Sequence, residues 1–166
     1  MALVVRQVIL DYAQGIVDVL NPIIEEGLYT VLDTPFSAKQ EKEFIAHFPK
    51  QGVFTVALNE DQTNVLAFQN IEPFASYTKA FSHVGVIGTF VDESCRGQGI
   101  SKQLFQSTFD VAKKKGYEKL FAYVRSDNER ALAVYRKQGF EVIGTAKKHA
   151  KIADQYIDEI LIEKFL

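Results

Sequence analysis

The chain has 166 residues, a formal net charge of −2, three histidines and one cysteine. That length supports one domain, 1–166, with one substantial core, and the apolar and charged fractions are those of an ordinary soluble globular protein. A slightly negative chain without a basic stripe argues against a nucleic-acid partner, and no apolar run is long enough to cross a bilayer.

The lone Cys95 excludes an internal disulfide framework and fits a reducing compartment. The N-terminal apolar pieces are short and broken by Arg6 and Asp11, unlike a signal peptide. The expected location is therefore cytoplasmic.

Residues 3–9 read as a first strand. Asp11 can cap a helix carrying Ile16, Val17 and Leu20 on its apolar side. Asn21-Pro22 reads as a cap with proline at the first helical position, which predicts a second short helix ending at Gly27. Residues 28–36 are expected to be irregular. Ser37-Ala-Lys-Gln40 is a capping box that opens a helix bearing Phe44, Ile45 and Phe48 and stops before Pro49. Residues 52–58 and 65–71 form a predicted hairpin, and Pro73 limits its second strand to an edge or an end. An aromatic loop, 74–81, follows. Residues 83–91 read as a buried strand with Gly85 and Gly88 inside it.

A glycine-rich turn, Arg96-Gly97-Gln98-Gly99, comes next. Ile100, Leu104, Phe105, Thr108, Val111 and Ala112 are then spaced for one face of a helix ending near Gly116. Residues 117–125 are the next strand, parallel to 83–91 across that helix. Ser126-Asp127-Asn128 caps a helix with Ala131, Val134 and Tyr135, closed by Gly139. Residues 140–145 and 156–165 are two final strands. The sum is an α/β chain of the α+β type: a mixed sheet of six to seven strands with about four helices, antiparallel first and β-α-β-α-β after.

The chemistry concentrates at the glycine turn. Gly97 and Gly99 let the backbone turn tightly and approach a ligand. The helix behind them opens with unpaired N–H groups and a partial positive charge, an anion site suited to phosphate or pyrophosphate. Arg96 adds a forked, charged donor. A Gly-x-Gly turn can also serve geometry alone. Other phosphate folds fit worse. A Rossmann fingerprint needs a small residue where Lys102 stands, and no P-loop Gly-Lys-Ser/Thr is present. His47, His83 and His149 are scattered and no cysteine pair exists, so no zinc ligand set is expected and no metal is assigned.

Two motifs at a set spacing carry a resemblance. Val91-x4-Arg96-Gly97-x-Gly99-Ile100 lies between strand and helix, and Asn128-x2-Ala131-x3-Tyr135-x3-Gly139-Phe140 follows it. Together they resemble the GNAT superfamily of acyl-CoA-dependent N-acetyltransferases. Asn21-Pro22 and Tyr156-Ile-Asp-Glu159 look like its phosphinothricin-type, small-molecule branch. The family often has Gln or Arg three positions before the first glycine, where this chain has Ser94. Backbone N–H groups supply most contacts of such a turn, so the site survives that change.

The resemblance implies a partly splayed sheet and acetyl-CoA as co-substrate. It places the pyrophosphate on Arg96, Gly97, Gln98, Gly99, Ile100 and Ser101. The pantetheine arm would lie beside Thr89, Phe90 and Val91, with Asn128 touching it. An acceptor amine would attack the thioester directly. A free alkylamine has a pKa of about 10.4, so a group must take its proton at neutral pH. Tyr135 is the expected general acid and Glu72 the first candidate for the base; Glu25, Glu26 and His83 are others, and so is a water chain ending at a distant carboxylate. The acceptor pocket is expected from 29–36, 74–81 and 149–156, with Tyr29, Phe74 and Tyr156 as substrate-binding residues. The partner is then a small-molecule amine, and a homodimer is common in the superfamily. Acetylation of protein N-termini or lysines, and a silent CoA-binding sensor, are the competing readings.

Overall fold

Alternating apolar residues and a few strong helix signals build the architecture, in a computed structural model that describes residues 2–166. The strands are β1 Leu3–Gln7, β2 Val53–Asn59, β3 Val65–Pro73, β4 Val84–Val91, β5 Lys119–Arg125, β6 Glu141–Ile152 and β7 Gln155–Phe165. The helices are α1 Ala13–Glu26, α2 Ala38–Ala46, α3 Ile100–Lys114 and α4 Glu129–Lys137. One seven-stranded sheet has the order β1-β2-β3-β4-β5-β7-β6. The β4–β5 pair is parallel and its neighbours are antiparallel.

The two sheet faces have different covers, because side chains alternate along a strand. On one face Ile16, Leu20, Ile23 and Ile24 of α1 pack on Phe54, Val56 and Phe68, with Phe48 and Phe90 beside them. On the other, Phe105, Phe109 and Ala112 of α3 and Tyr135 of α4 pack on Ile71, Ile87, Leu120, Ala122 and Val124. The β4–β5 pairing covers only Val84, Gly85 and Val86 against Lys119, Leu120 and Phe121. Beyond Val86 the two strands part, and the sheet opens into a cleft between its faces.

Two local expectations are corrected. Residues 13–26 form one helix, not two, and Pro22 lies inside it. The apolar stripe Ile16, Val17, Val19, Leu20, Ile23, Ile24 is buried continuously past Pro22, which is itself exposed. Burial at roughly 1.5–3 kcal/mol per large side chain outweighs the roughly 3 kcal/mol that an interior proline costs. Asp11 does not cap this helix: it sits in a 3-10 turn, Leu10–Tyr12, and the N-cap position, Tyr12, makes no side-chain cap bond. Asn21 is no cap either. Its amide donates to the Phe36 carbonyl at 2.8 Å and accepts from the Phe36 N–H at 3.0 Å, pinning the loop that follows α1.

The second correction is at the C-terminal hairpin. Strand β6 runs to Ile152 and meets β7 through a tight turn in which Ala153 and Asp154 have φ of 48° and 62°. Residues 149–156, expected as a pocket wall, are mostly paired strand. The ladder slips between Ala146 and Ala150, where Lys148 has φ 50° and its N–H donates to the Asp158 carboxylate at 2.7 Å. That bulge interrupts the alternation by which the strand would have been read.

The capping box at Ser37 forms as expected, with the Ser37 side chain accepting from Gln40 N–H and the Gln40 side chain accepting from Ser37 N–H.

Candidate active site

The glycine turn closes a 3-10 turn and opens α3. Gly97 and Gly99 have φ of 77° and 79°, the left-handed region, and a Cβ at either would meet nothing within 4 Å. The turn is therefore backbone-lined and open. The first N–H groups of α3 have no partner within the helix. Gln98 points its amide back to the Ser94 carbonyl at 3.0 Å, bracing the turn. Arg96 stacks over the Tyr29 ring, 4.9 Å from its centre, and so ties the turn to loop 27–37.

A cavity of about 1170 Å³ starts at this turn and passes through the cleft. Arg96, Gly97, Ile100 and Ser101 line one end of it, and Thr89, Phe90, Val91, Asn128 and Tyr135 its middle. The edge of β4 beyond Val86 has no strand partner on the β5 side. It presents a row of free backbone groups to the cavity, as a sheet edge does.

At the middle, the buried Tyr135 hydroxyl donates to Thr89 Oγ1 at 2.9 Å, and Gln69 Nε2 donates to the same oxygen at 3.0 Å. Burial pushes the Tyr135 phenol up to about 12, against a smaller opposing effect of the Thr89 bond. The Asn128 side chain caps α4 by accepting from Ala131 N–H at 3.1 Å, and its amide reaches the Tyr29 carbonyl at 3.4 Å.

The far end belongs to the face that α1 and α2 cover. Register places Glu72 opposite Val86, Asn70 opposite Gly88 and Phe68 opposite Phe90, all on that face. Arg125 and Glu159 are directly opposed on β5 and β7. Tyr29, Thr30, Val31, Leu32 and Phe36 from the loop, and Glu41 and Phe44 from α2, complete the wall.

The structure brings most of the sequence-derived residues together. Thr89, Phe90, Val91, Arg96, Gly97, Ile100, Ser101, Asn128, Tyr135, Tyr29, Phe74 and Glu72 all border the one cavity. Glu72 is exposed at its mouth. Tyr156 lies apart from it: it is 58% exposed near the β6–β7 turn, with Lys148 and Lys151 over its ring. Glu25 and Glu26 face solvent, and His83 borders a smaller cavity with Phe74 and Phe121.

Three site residues escaped the sequence reading. Arg125 is 7% exposed, and four hydrogen bonds hold it. It grips Asp127 through Nε at 2.9 Å and Nη2 at 2.8 Å, and its Nη1 donates to the carbonyls of Gly27 and Thr30. That grip holds the Asp127 carboxyl below its usual range. Glu159 is buried and pushed up by desolvation, with His149 and Arg125 pulling the other way. Glu41 is 5% exposed, and burial raises its carboxyl from 4.5 to about 7. Its signal was present in the chain: Glu41, Phe44, Ile45 and Phe48 share one helical stripe, so an acid stands in a core position.

Among the described residues no group of three His, Cys, Asp or Glu could hold a metal, and no helix is long and apolar enough to cross a membrane.

The profile of the acetyltransferase (GNAT) family matches residues 23–140. The chain belongs to that family, and it is an acetyltransferase by class. Among curated proteins it is 25% identical over 127 residues to YwnH of Bacillus subtilis, a protein named for phosphinothricin acetylation, across 76% of this chain and 77% of that one. Among solved structures, a phosphinothricin acetyltransferase from Sinorhizobium meliloti in complex with acetyl-CoA superposes with a TM-score of 0.89 at 19% identity, over 100% of this chain and 89% of that one. A ribosomal-protein-alanine N-acetyltransferase from Brucella melitensis does so equally, with a TM-score of 0.89 at 21% identity over 98% and 99%. These two likenesses establish the fold, the mixed splayed sheet expected from the motifs.

Proposed function

We propose that this chain moves an acetyl group from acetyl-CoA to the primary amine of a small molecule by direct attack. One observation carries the reading: a single cavity joins an open anion turn, a free strand edge and a roofed acceptor chamber. The residues fit the co-substrate. Left-handed Gly97 and Gly99 leave room against the backbone, and the start of α3 favours a diphosphate. The unpaired edge of β4 can pair with an extended amide-bearing arm.

Acetyl-CoA supplies the activated thioester; the chain supplies position and protons. The N–H groups of 97–101 hold the diphosphate. Thr89, Phe90 and Val91 align the arm, and the backbone N–H of Val91, which points away from β3, faces the oxygen that gains charge. Tyr135 stays protonated at neutral pH because burial holds its phenol up to about 12, so it can give a proton to the departing sulfur. Glu72, on the acceptor face opposite Val86, takes the amine proton.

The test is thiol release from acetyl-CoA with a panel of small amines and of extended peptides. Small amines should be acetylated, and Glu72→Gln should cut turnover by about 10²-fold while acetyl-CoA still binds. Acetylation of extended peptides alone would refute the reading.

A further inference from the structure

Glu41 poses a physical problem that the acetyl transfer does not use. It projects from α2 into the acceptor chamber, 5% exposed. Among the described residues its carboxylate makes no side-chain hydrogen bond, and no lysine, arginine or histidine lies within ion-pair distance of it. An acid buried without a partner is costly and uncommon. The wall of that chamber carries the apolar Leu20, Ile23, Phe36, Phe44 and Phe68 beside the polar Thr30, Gln40 and Asn70.

The remaining charges of the acceptor face do not compensate it. Glu72 and Glu159 add two more acids. Among the described residues lining the cavity, Arg125 is the cation on that face, and all but one of its N–H donors are bound to Asp127, Gly27 and Thr30. Arg96 lies at the other end, over Tyr29, and Arg130, exposed in the first turn of α4, lines the cavity from the opposite face. On that face Glu41, Glu72 and Glu159 outnumber Arg125, which is paired with Asp127, and the Glu41 carboxylate stands beside methylenes and aromatic faces. That lining suits an ammonium on an alkyl chain.

We infer that the acceptor is a small aliphatic diamine: one amine reacts, and the other, as an ammonium, is held by the Glu41 carboxylate against Phe36, Phe44 and Phe68. This rests on the proposed acetyl transfer for the role of the first amine, but the binding of the second is independent of it. It also separates this chain from acceptors that carry their own acid group, because Glu41, Glu72 and Glu159 repel them.

The experiment is calorimetric titration of the full chain, with and without saturating CoA, using propane- to hexane-diamine, matched n-alkylamines and matched ω-amino acids. At least one diamine should bind about tenfold or more tighter than its monoamine, as expected of a desolvated charge-assisted pair. The ω-amino acid should bind weakest. Glu41→Gln, a neutral near-isostere, should bring the diamine to the level of the monoamine. No diamine preference in the native chain, its persistence in Glu41→Gln, or tightest binding of the ω-amino acid would overturn the inference. Glu41-dependent diamine binding without any acetyl transfer would uphold it and refute the enzymatic reading instead. Acetylation of amines with no diamine preference would do the reverse.

Discussion

Replacing Glu41 by glutamine should stabilise the ligand-free protein, and the gain should depend on pH. Unfolded, Glu41 titrates near 4.5; folded, burial among apolar side chains raises it to about 7. Below pH 4.5 both states hold the proton and nothing is lost. Between 4.5 and 7 the unfolded chain releases a proton that the folded chain keeps, so stability falls as pH rises. Above 7 the full cost is present, at most about 3 kcal/mol at about 1.4 kcal/mol per pH unit and less by the screening of solvent that reaches the carboxylate through the cavity. Glutamine carries no such charge and resembles the protonated acid in size. The variant should match the native chain near pH 4.5 and exceed it by up to about 3 kcal/mol at pH 8. For a chain of this size that is a rise in Tm of about 6 to 10 °C. Thermal melts of both proteins at the two pH values read the difference directly. Glu159 and Glu72 face the same chamber but are common to both proteins and cancel. A difference that is flat with pH, or a variant less stable at pH 8, would show that the Glu41 carboxylate bears no such burial cost. The same burial cost is what a bound ammonium would relieve.

Tyr135→Phe removes the hydroxyl that donates to Thr89 at 2.9 Å. It should lower stability by about 1 kcal/mol and turnover by about 10²-fold while leaving acetyl-CoA affinity intact; unchanged turnover would show that Tyr135 is not the acid. Arg125→Met strips donors from the carbonyls of Gly27 and Thr30 and from Asp127. Urea unfolding should show a loss of about 2 to 3 kcal/mol, and loop 27–30 should become the first site of limited proteolysis; a loss below about 1 kcal/mol would mean the loop is held by other contacts. Gly99→Ala forces an L side chain into φ 79°, and although its Cβ would meet nothing, the strain is about 1 to 2 kcal/mol. Acetyl-CoA should bind this variant more weakly as the turn relaxes, and equal affinity would count against the turn as the diphosphate site.

The elements easiest to read in the chain were those whose signal is local. The Ser37 capping box, the glycine turn before α3 and the Asn128 cap of α4 each depend on neighbouring residues, and each forms as read. Pro22 misled because tertiary burial of the α1 stripe overrides a local breaker. The hairpin of β6 and β7 was shortened because its bulge at Lys148 breaks the alternation, and this also put Tyr156 on an expected pocket wall when it stands outside the chamber. The cofactor end of the site was legible through contiguous motifs. The acceptor end was not. Glu41, Arg125 and Glu159 come from a helix and two strands far apart in the chain, and only the register of β5 on β7 and the seating of α2 bring them to one cavity. Glu41 alone left a trace, an acid on an apolar helical stripe.

The central claim is that the open turn and the free edge of β4 take acetyl-CoA. Calorimetric titration of the full chain with acetyl-CoA, with NAD and ATP as controls, tests it most directly. One site per chain is expected, selective for acetyl-CoA and weakened by Gly99→Ala. A folded protein that ignores acetyl-CoA, or that binds ATP or NAD as tightly, would contradict it.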